Sequence, residues 1–222
     1  MKQLIFVLSI IFMLPLKLGA KDSDSIYVRL NSVIAKKDFF AKEKEKRISM
    51  LRELLSSSNM SDIQRYNINE RMYVEYNKYK TDSAAHYMVE NLTLAHKIGV
   101  DSLEIESQLQ LAWLYSTKGK YIEARDLLAQ INLNKLSWSL QQLYYRTCTD
   151  FYSHYGLSNN DNKYYKLSSM YRDSILSISN PESFEYNLEY AIKLLYDNRD
   201  KEAVVKFEEL LQETDDGDPN RA

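Results

Sequence analysis

Few helix-breaking residues occur in this chain. Its 222 residues include five glycines and three prolines, whereas tyrosine occurs eighteen times. Sandwiches and barrels need tight turns at short intervals, and such turns are built largely from glycine and proline. The shortage of both therefore argues against all-β folds and favours a chain of long helices. An apolar content of 45% with 27% charged residues is typical of a folded protein rather than a disordered one.

The sequence also lacks the motifs of common enzyme and metal chemistry. The single cysteine, Cys148, cannot form an internal disulfide, and its aromatic surroundings predict a buried, unreactive thiol. No phosphate-binding glycine loop, zinc-protease helix or serine-hydrolase motif is found. His86 and His96 stand ten residues apart and would face different sides of one helix. The sequence Asp-Asp-Gly-Asp at residues 215–218 has the wrong glycine spacing for a calcium loop. We therefore expect no enzyme activity, no metal and no cofactor.

One long apolar run occurs, at the N-terminus. Residues 4–16 follow the positive Lys2 and precede the small-residue sequence Leu18-Gly19-Ala20. This pattern is typical of a signal peptide, and the run is shorter than the roughly 20 residues of a membrane-spanning helix. We expect residues 1–20 to be a signal peptide and the protein to lie on the periplasmic face of the cell envelope, with an uncleaved anchor as the alternative. Cleavage removes two lysines and lowers the net charge from −2 to −4, which does not favour nucleic acid as a partner.

The next part of the chain, residues 21–58, is predicted to be a long N-terminal capping helix region. An apolar stripe follows helical spacing over residues 25–55, and the charged residues 36–47 interrupt it with a bend near Phe39 and Phe40. A solvated charged face is one interpretation of this segment. A coiled coil is the other, so a homodimer through the N-terminal helix is a possible partnership.

An internal repeat follows in residues 59–213. Residues 109–131 have the pattern of a helix-turn-helix, with apolar residues at helical spacing on each side of Gly119. Equivalent residues recur at offsets of 37 to 40 residues or twice that: Met72, Tyr76 and Ala85; Leu111, Tyr115 and Ala124; Tyr152; Ala203. Gly99 and Gly156 are predicted to end helices. These periods predict about four stacked helix pairs. The uncapped polar tail at residues 214–222 predicts that the natural chain continues, with a disordered tail as the alternative.

The residues Leu111, Ala112, Tyr115, Gly119, Tyr121 and Ala124 resemble the tetratricopeptide repeat (TPR) family. The 39-residue period is longer than the 34 residues typical of that family. The resemblance implies an all-α fold, a right-handed α-solenoid of TPR-like helical hairpins with a long N-terminal helix. Residues 38–55, 75–99 and 164–176, together with the signal peptide, resemble the periplasmic N-terminal half of membrane-tethered TPR transcriptional regulators of gut anaerobes. A membrane tether and a DNA-binding output part would then lie beyond residue 222.

In the TPR family the first helix of each pair lines a concave groove that binds protein or peptide. Carrying those positions onto this sequence gives a candidate groove of Asn67, Glu70, Val74, Asn77, Lys78, Glu106, Leu109, Trp113, Ser116, Thr117, Leu143, Arg146, Asp150, Ser153 and His154. We expect Trp113 to be its anchor, with Asn77, Lys78, Arg146 and Asp150 as a polar rim. The function expected is therefore an exported protein-binding or peptide-binding sensor. The alternatives are an envelope assembly scaffold and a glycan-binding protein that uses exposed aromatic rings.

Overall fold

The computed structural model describes residues 20–214, with the side chains of all of them except residues 20–26 and 29. The predicted signal peptide, apart from Ala20, and the tail from residue 215 lie outside the described residues. The α-helices of the described part are α1 Ala20–Ala35, α2 Lys37–Leu55, α3 Asp62–Tyr76, α4 Thr81–Ile98, α5 Asp101–Thr117, α6 Tyr121–Ala129, α7 Trp138–Asn159, α8 Asn162–Ile178, α9 Phe184–Tyr196 and α10 Asp200–Glu213. These residues contain no strand, so the predicted all-α solenoid is confirmed.

The chain divides into two units between Ser49 and Met50, within α2. In the first unit a turn at Lys36 separates α1 from α2, whereas the sequence predicted one long helix bent near Phe39. The Lys36 N–H donates to the carbonyl oxygen of Val33 at 3.0 Å, a tightened bond three residues back. A stripe of apolar side chains on α1 is exposed: Tyr27, Leu30, Val33 and Ile34.

Up to residue 214, the second unit contains four helix pairs, α3–α4, α5–α6, α7–α8 and α9–α10, whose members pack against each other. Successive pairs are joined by packing of α4 on α5, α5 on α7 and α8 on α9. A central core lies where α5, α6 and α7 meet, and its buried members are Leu109, Ala112, Ala124, Leu128, Cys148 and Phe151. The segment 109–131, in which the repeat is clearest in the sequence, therefore supplies four of these six core residues.

A small residue allows the two helices of a pair to approach closely. Ala84, Ala124 and Ala203 each stand fourth in the second helix of their pair, and all three are fully buried. The repeat residue in α4 is therefore Ala84 rather than the predicted Ala85, which is only half-buried. In the third pair Tyr165 stands at this fourth position, and Gly156 on the facing helix α7 provides the space instead.

The sequence predicted that Gly156 ends α7, and this prediction is wrong. The helix continues to Asn159, and Asn160 ends it with a positive φ of 50°. A Cβ atom at residue 156 would lie 3.3 Å from the Cβ of Tyr164 and 3.4 Å from the backbone nitrogen of Tyr165. The missing side chain of this glycine therefore allows α7 and α8 to pack closely, whereas Gly99, at a φ of 75°, ends α4 as predicted.

Side-chain caps begin the first helices of three pairs. Ser61 forms a capping box with Gln64, as the sequence predicted, and Ser137 and Ser183 each accept a hydrogen bond from a backbone N–H of the helix that follows. These caps fix the starting points of α3, α7 and α9, and hence the register of the polar side chains along the first helices.

Candidate partner-binding surface

Trp113, the predicted anchor, is held in place by its neighbours. Its indole Nε1 donates to Oδ2 of Asp150 at 2.9 Å, which links α5 to α7. The hydroxyl of Ser116 donates to the carbonyl oxygen of Trp113 at 2.8 Å and lies 3.0 Å from Nδ1 of His154. The Ser116 hydroxyl group therefore connects the backbone of α5 at Trp113 with the His154 ring on α7. The structure thus brings four predicted groove residues together as a fixed floor, and the only donor of the indole is engaged within it.

Asp150 is the electrostatic centre of this floor. Burial raises the pKa of its carboxyl group above the ordinary value. The hydrogen bond from Trp113 and the positive charges of His154, Arg172 and Arg146 act in the opposite direction and favour the ionised form. The carboxylate is thus partly removed from water, but a hydrogen bond and nearby cationic side chains compensate for this. Its structural role is to accept the hydrogen bond that holds the Trp113 ring in place.

Arg146, Arg172 and Glu189 continue the polar surface toward α9. Nη1 of Arg172 lies 3.1 Å from Oε2 of Glu189, and the two residues are 5% and 8% exposed. Nε of Arg146 lies 3.6 Å from the other oxygen of the same carboxylate, and its side chain is about half exposed. Arg172 is therefore a buried structural partner, whereas Arg146 presents its guanidinium group to the surface.

A cavity of about 430 Å³ lies beside Arg146, between α7 and the beginning of α9. Its lining residues are Trp138, Ser139, Gln142, Leu143, Arg146, Asn180, Ser183 and Glu185. The Trp138 side chain is 57% exposed, and its indole N–H donates to the carbonyl oxygen of Ile178 at 2.8 Å. The volume falls within the range of small-ligand and side-chain pockets. Trp138 was missing from the predicted groove because it stands at the start of α7, where the sequence indicated only a helix beginning.

The remaining predicted residues lie elsewhere. Asn67 is exposed and borders a separate cavity of about 420 Å³ near the end of α2. Asn77 is the C-cap of α3, where its backbone N–H donates to the carbonyl oxygen of Tyr73, and Lys78 follows it as an exposed residue. The indole N–H of Trp113 donates to Asp150 on α7. Asp150 is therefore the predicted rim residue that bonds to the Trp113 side chain.

Glu70 belongs to a second polar cluster, on the first two pairs. Its carboxylate accepts hydrogen bonds from Asn91 at 2.9 Å and from Gln110 at 3.0 Å. The bonds from Gln110 to Glu70 and from Trp113 to Asp150 span 40 and 37 residues, so both join first helices one repeat apart. Neighbouring first helices are therefore joined by polar bonds that recur at about the repeat period.

Chemistry that needs a metal has no evident place on this surface. Among the described residues, no group of three or more histidine, cysteine, aspartate or glutamate side chains is arranged to hold a metal ion. In the same part of the chain, no helix has the length and hydropathy that crossing a membrane requires.

Cys148 is buried, and burial raises its pKa to about 12, so the thiol stays protonated at neutral pH.

The fold and the first-helix surface define a helical-repeat, protein-binding module. The chain belongs to the SusR N-terminal TPR domain family, whose model matches residues 34–222. The predicted resemblance to the TPR family and to the N-terminal half of a regulator is thereby confirmed. The protein is a TPR-type protein-binding module of SusR-like, envelope-associated regulators. No curated protein and no solved structure matches the chain significantly.

Proposed function

We propose that this chain is the periplasmic sensor part of a membrane-bound transcriptional regulator and that it senses by binding a protein or peptide on its first-helix surface. Membership of the SusR-type family supports the regulatory role. The observation that carries the binding role is the cavity lined by Trp138 and Arg146 between α7 and the beginning of α9.

The cavity has the composition of an interaction hot spot. Tryptophan and arginine dominate the binding energy of many interfaces, particularly where a ring and a guanidinium group border one pocket. The ring of Trp138 is exposed, but its bond to Ile178 fixes its orientation. The bond between Trp113 and Asp150 likewise orders the adjoining floor before any partner arrives. A partner would therefore lose little free energy in ordering this surface.

Site-specific photo-crosslinking in the natural full-length protein tests the binding role. Benzoyl-phenylalanine in place of Trp138 should give a crosslinked partner of defined mass, and Arg146→Glu should abolish that product. The matched control is the same label in place of Met170, which is 62% exposed on the second helix α8. Equal crosslinking from both positions, or from Met170 alone, would place the partner outside the first-helix surface and overturn the proposal.

Export is tested separately. Alkaline phosphatase, which is active only outside the cytoplasm, is fused after residue 214, with and without residues 1–20. We expect activity only when residues 1–20 are present, because they carry the signal-peptide pattern. Phosphatase activity that does not depend on these residues would contradict the proposed export signal.

The exposed stripe of α1 supports a homodimer as an additional partnership. Tyr27, Leu30 and Ile34 follow the three-and-four spacing of a coiled-coil contact, and each is at least half exposed. Leu30→Glu combined with Ile34→Glu should convert a dimer to a monomer in analytical ultracentrifugation. A monomeric unmodified chain would exclude this partnership without affecting the sensor proposal.

The exposed ring of Trp138 also keeps glycan binding as a second candidate function. A sugar would stack on that ring, so calorimetry with oligosaccharides should give heat that Trp138→Ala removes. Absence of heat at millimolar sugar would leave the peptide as the candidate ligand.

A further inference from the structure

The cluster around Glu70 joins three helices and contains a second carboxylate. Asn91 on α4 and Gln110 on α5 donate to the two oxygens of Glu70 on α3. Glu106 stands one helical turn before Gln110, so the two side chains share a face of α5. Burial raises the pKa of Glu106, and the negative charge of Glu70 raises it further. Because Gln110 bonds to Glu70 and shares a face of α5 with Glu106, the Glu106 carboxylate lies on the side of α5 that is turned toward Glu70.

Three buried amide oxygens of the first two helix pairs have no hydrogen-bond partner within the described part of the chain. They are Oδ1 of Asn69, Oδ1 of Asn91 and Oε1 of Gln110, and Asn69 and Asn91 are fully buried. The oxygens of Asn91 and Gln110 belong to the same amide groups that donate to Glu70, so they lie next to its carboxylate. Buried acceptors of this kind are rare in folded proteins, because leaving them unpaired costs free energy.

Turning the amides around does not relieve the shortage of donors. The NH₂ group of Asn69 donates to Glu90, and those of Asn91 and Gln110 donate to Glu70. Exchanging nitrogen and oxygen would place amide oxygens against carboxylates, which is unfavourable. The neighbouring carboxylates thus fix which end of each amide is nitrogen. Turning an amide around therefore cannot pair the amide oxygens.

Two tyrosines that interact with Glu70 do not supply positive charge. Tyr66 and Tyr73 both have pKa values raised by burial and by Glu70, so both are neutral at physiological pH. The causes that shift the pKa of Glu106 are burial and Glu70, with no cation among them. Both glutamate side chains are half-buried rather than enclosed, so a group arriving along the first-helix surface can reach them.

We propose that Glu70, Glu106 and Gln110 bind a primary ammonium group of the partner, with Asn91 as the buried part of the site. This inference rests on the proposed peptide-binding function and specifies the chemistry of its ligand. An ammonium group is compact, positively charged and carries three N–H donors, which matches two carboxylates and a surplus of amide oxygens. Either a lysine side chain or the N-terminal amine of a peptide supplies this group.

Nuclear magnetic resonance titration of the ¹⁵N-labelled full chain tests the assignment, because the side-chain amides of Asn91 and Gln110 report directly on the site. Three probes are compared: Nα-acetyl-lysine methylamide, glycinamide, and the neutral Nα-acetyl-norleucine methylamide. We expect saturable shifts of both amide resonances with an amine probe and none with the norleucine compound. The amine with the higher affinity identifies whether a side chain or a peptide N-terminus is the natural group.

Glu106→Gln is the test variant, and Glu104→Gln, a half-buried carboxylate on the same helix near His96, is the matched control. Glu106→Gln should weaken the amine by about tenfold or more, since it removes one charged acceptor, and Glu104→Gln should not. The proposal fails if no amine gives saturable shifts, if both variants behave alike, or if calcium chloride gives the shifts instead. Persistent crosslinking from residue 138 in that case would show that only this inference, and not peptide binding, is wrong.

Discussion

The buried ion pair between Arg172 and Glu189 should contribute strongly to the attachment of the last helix pair. The two side chains are 5% and 8% exposed and join α8 to α9 at 3.1 Å. Arg172→Met keeps most of the side-chain volume but leaves the carboxylate of Glu189 buried with only Arg146, 3.6 Å away, as a cationic neighbour. Removal of one partner from a buried pair costs about 3–5 kcal/mol. Because Arg146 remains, we expect the lower end of that range, about 3 kcal/mol.

An exposed ion pair between the same two helices provides the control. Lys193 on α9 and Asp173 on α8 lie 2.6 Å apart, closer than the buried pair, but the Asp173 side chain is 54% exposed. Exposed pairs contribute about 0–1 kcal/mol, so Asp173→Asn should change the stability much less than Arg172→Met despite the shorter distance. Burial rather than distance is thus expected to decide which pair matters.

Urea unfolding followed by circular dichroism measures both variants, and hydrogen exchange locates the effect. In a repeat protein the loss of one interface loosens the adjacent unit first, so amides of α9 and α10 should exchange faster in Arg172→Met. The double variant Arg172→Met with Glu189→Leu should recover stability, since it also removes the stranded charge. Equal effects of Arg172→Met and Asp173→Asn, or no recovery in the double variant, would refute the reasoning.

Three further predictions follow from individual side chains. Gly156→Ala should destabilise the fold by up to about 2 kcal/mol in urea unfolding, because an overpacking cost of about 1–3 kcal/mol against Tyr164 exceeds the helix-propensity gain of about 1 kcal/mol; a stabilised variant would show that α8 gives way to the added methyl group. Cys148 should resist iodoacetamide at pH 8 in the native state and react only on unfolding, since burial raises its pKa to about 12; rapid native labelling would contradict this. The pKa of Glu106 is raised, so its contribution to stability should fall as pH rises from its unfolded pKa through its folded pKa. Glu106→Gln should flatten that part of the pH–stability profile, and an unchanged profile would disprove the desolvation argument.

Helical periodicity was sufficient to predict the solenoid, because packing fixes the apolar positions of every repeat. Ala124 and Ala203 are both fully buried at the expected place in their helices. The sequence could not distinguish Ala84 from Ala85, since both fit the offset and only the helix start at Thr81 decides which one faces the partner helix. It also could not show that Gly156 serves packing, because a glycine near a predicted helix end has the same appearance in either role.

The candidate surface was less predictable, because hydrogen bonds between repeats depend on side-chain geometry. Trp113 and Asp150 are 37 residues apart, so the repeat period placed them side by side, but it could not show that they bond to each other. That bond makes Trp113 part of the floor rather than an open anchor. Trp138 lies outside the family's groove positions, and its exposure depends on how α7 begins beside the end of α8.

Polar residues on the first helices separate into two groups according to how their hydrogen-bonding groups are engaged. Trp113 and Asp150 bond to each other across one repeat, so little of their capacity is left for a ligand. Glu106 and Arg146 keep charge that the surrounding chain compensates only in part: Glu106 faces another carboxylate, and Arg146 shares Glu189 with Arg172 at a longer distance. They stand on α5 and α7 with opposite signs, so the two ends of the surface favour opposite charges. A peptide bound there would be oriented by electrostatics, with its ammonium group toward α3 and an acidic group toward α9.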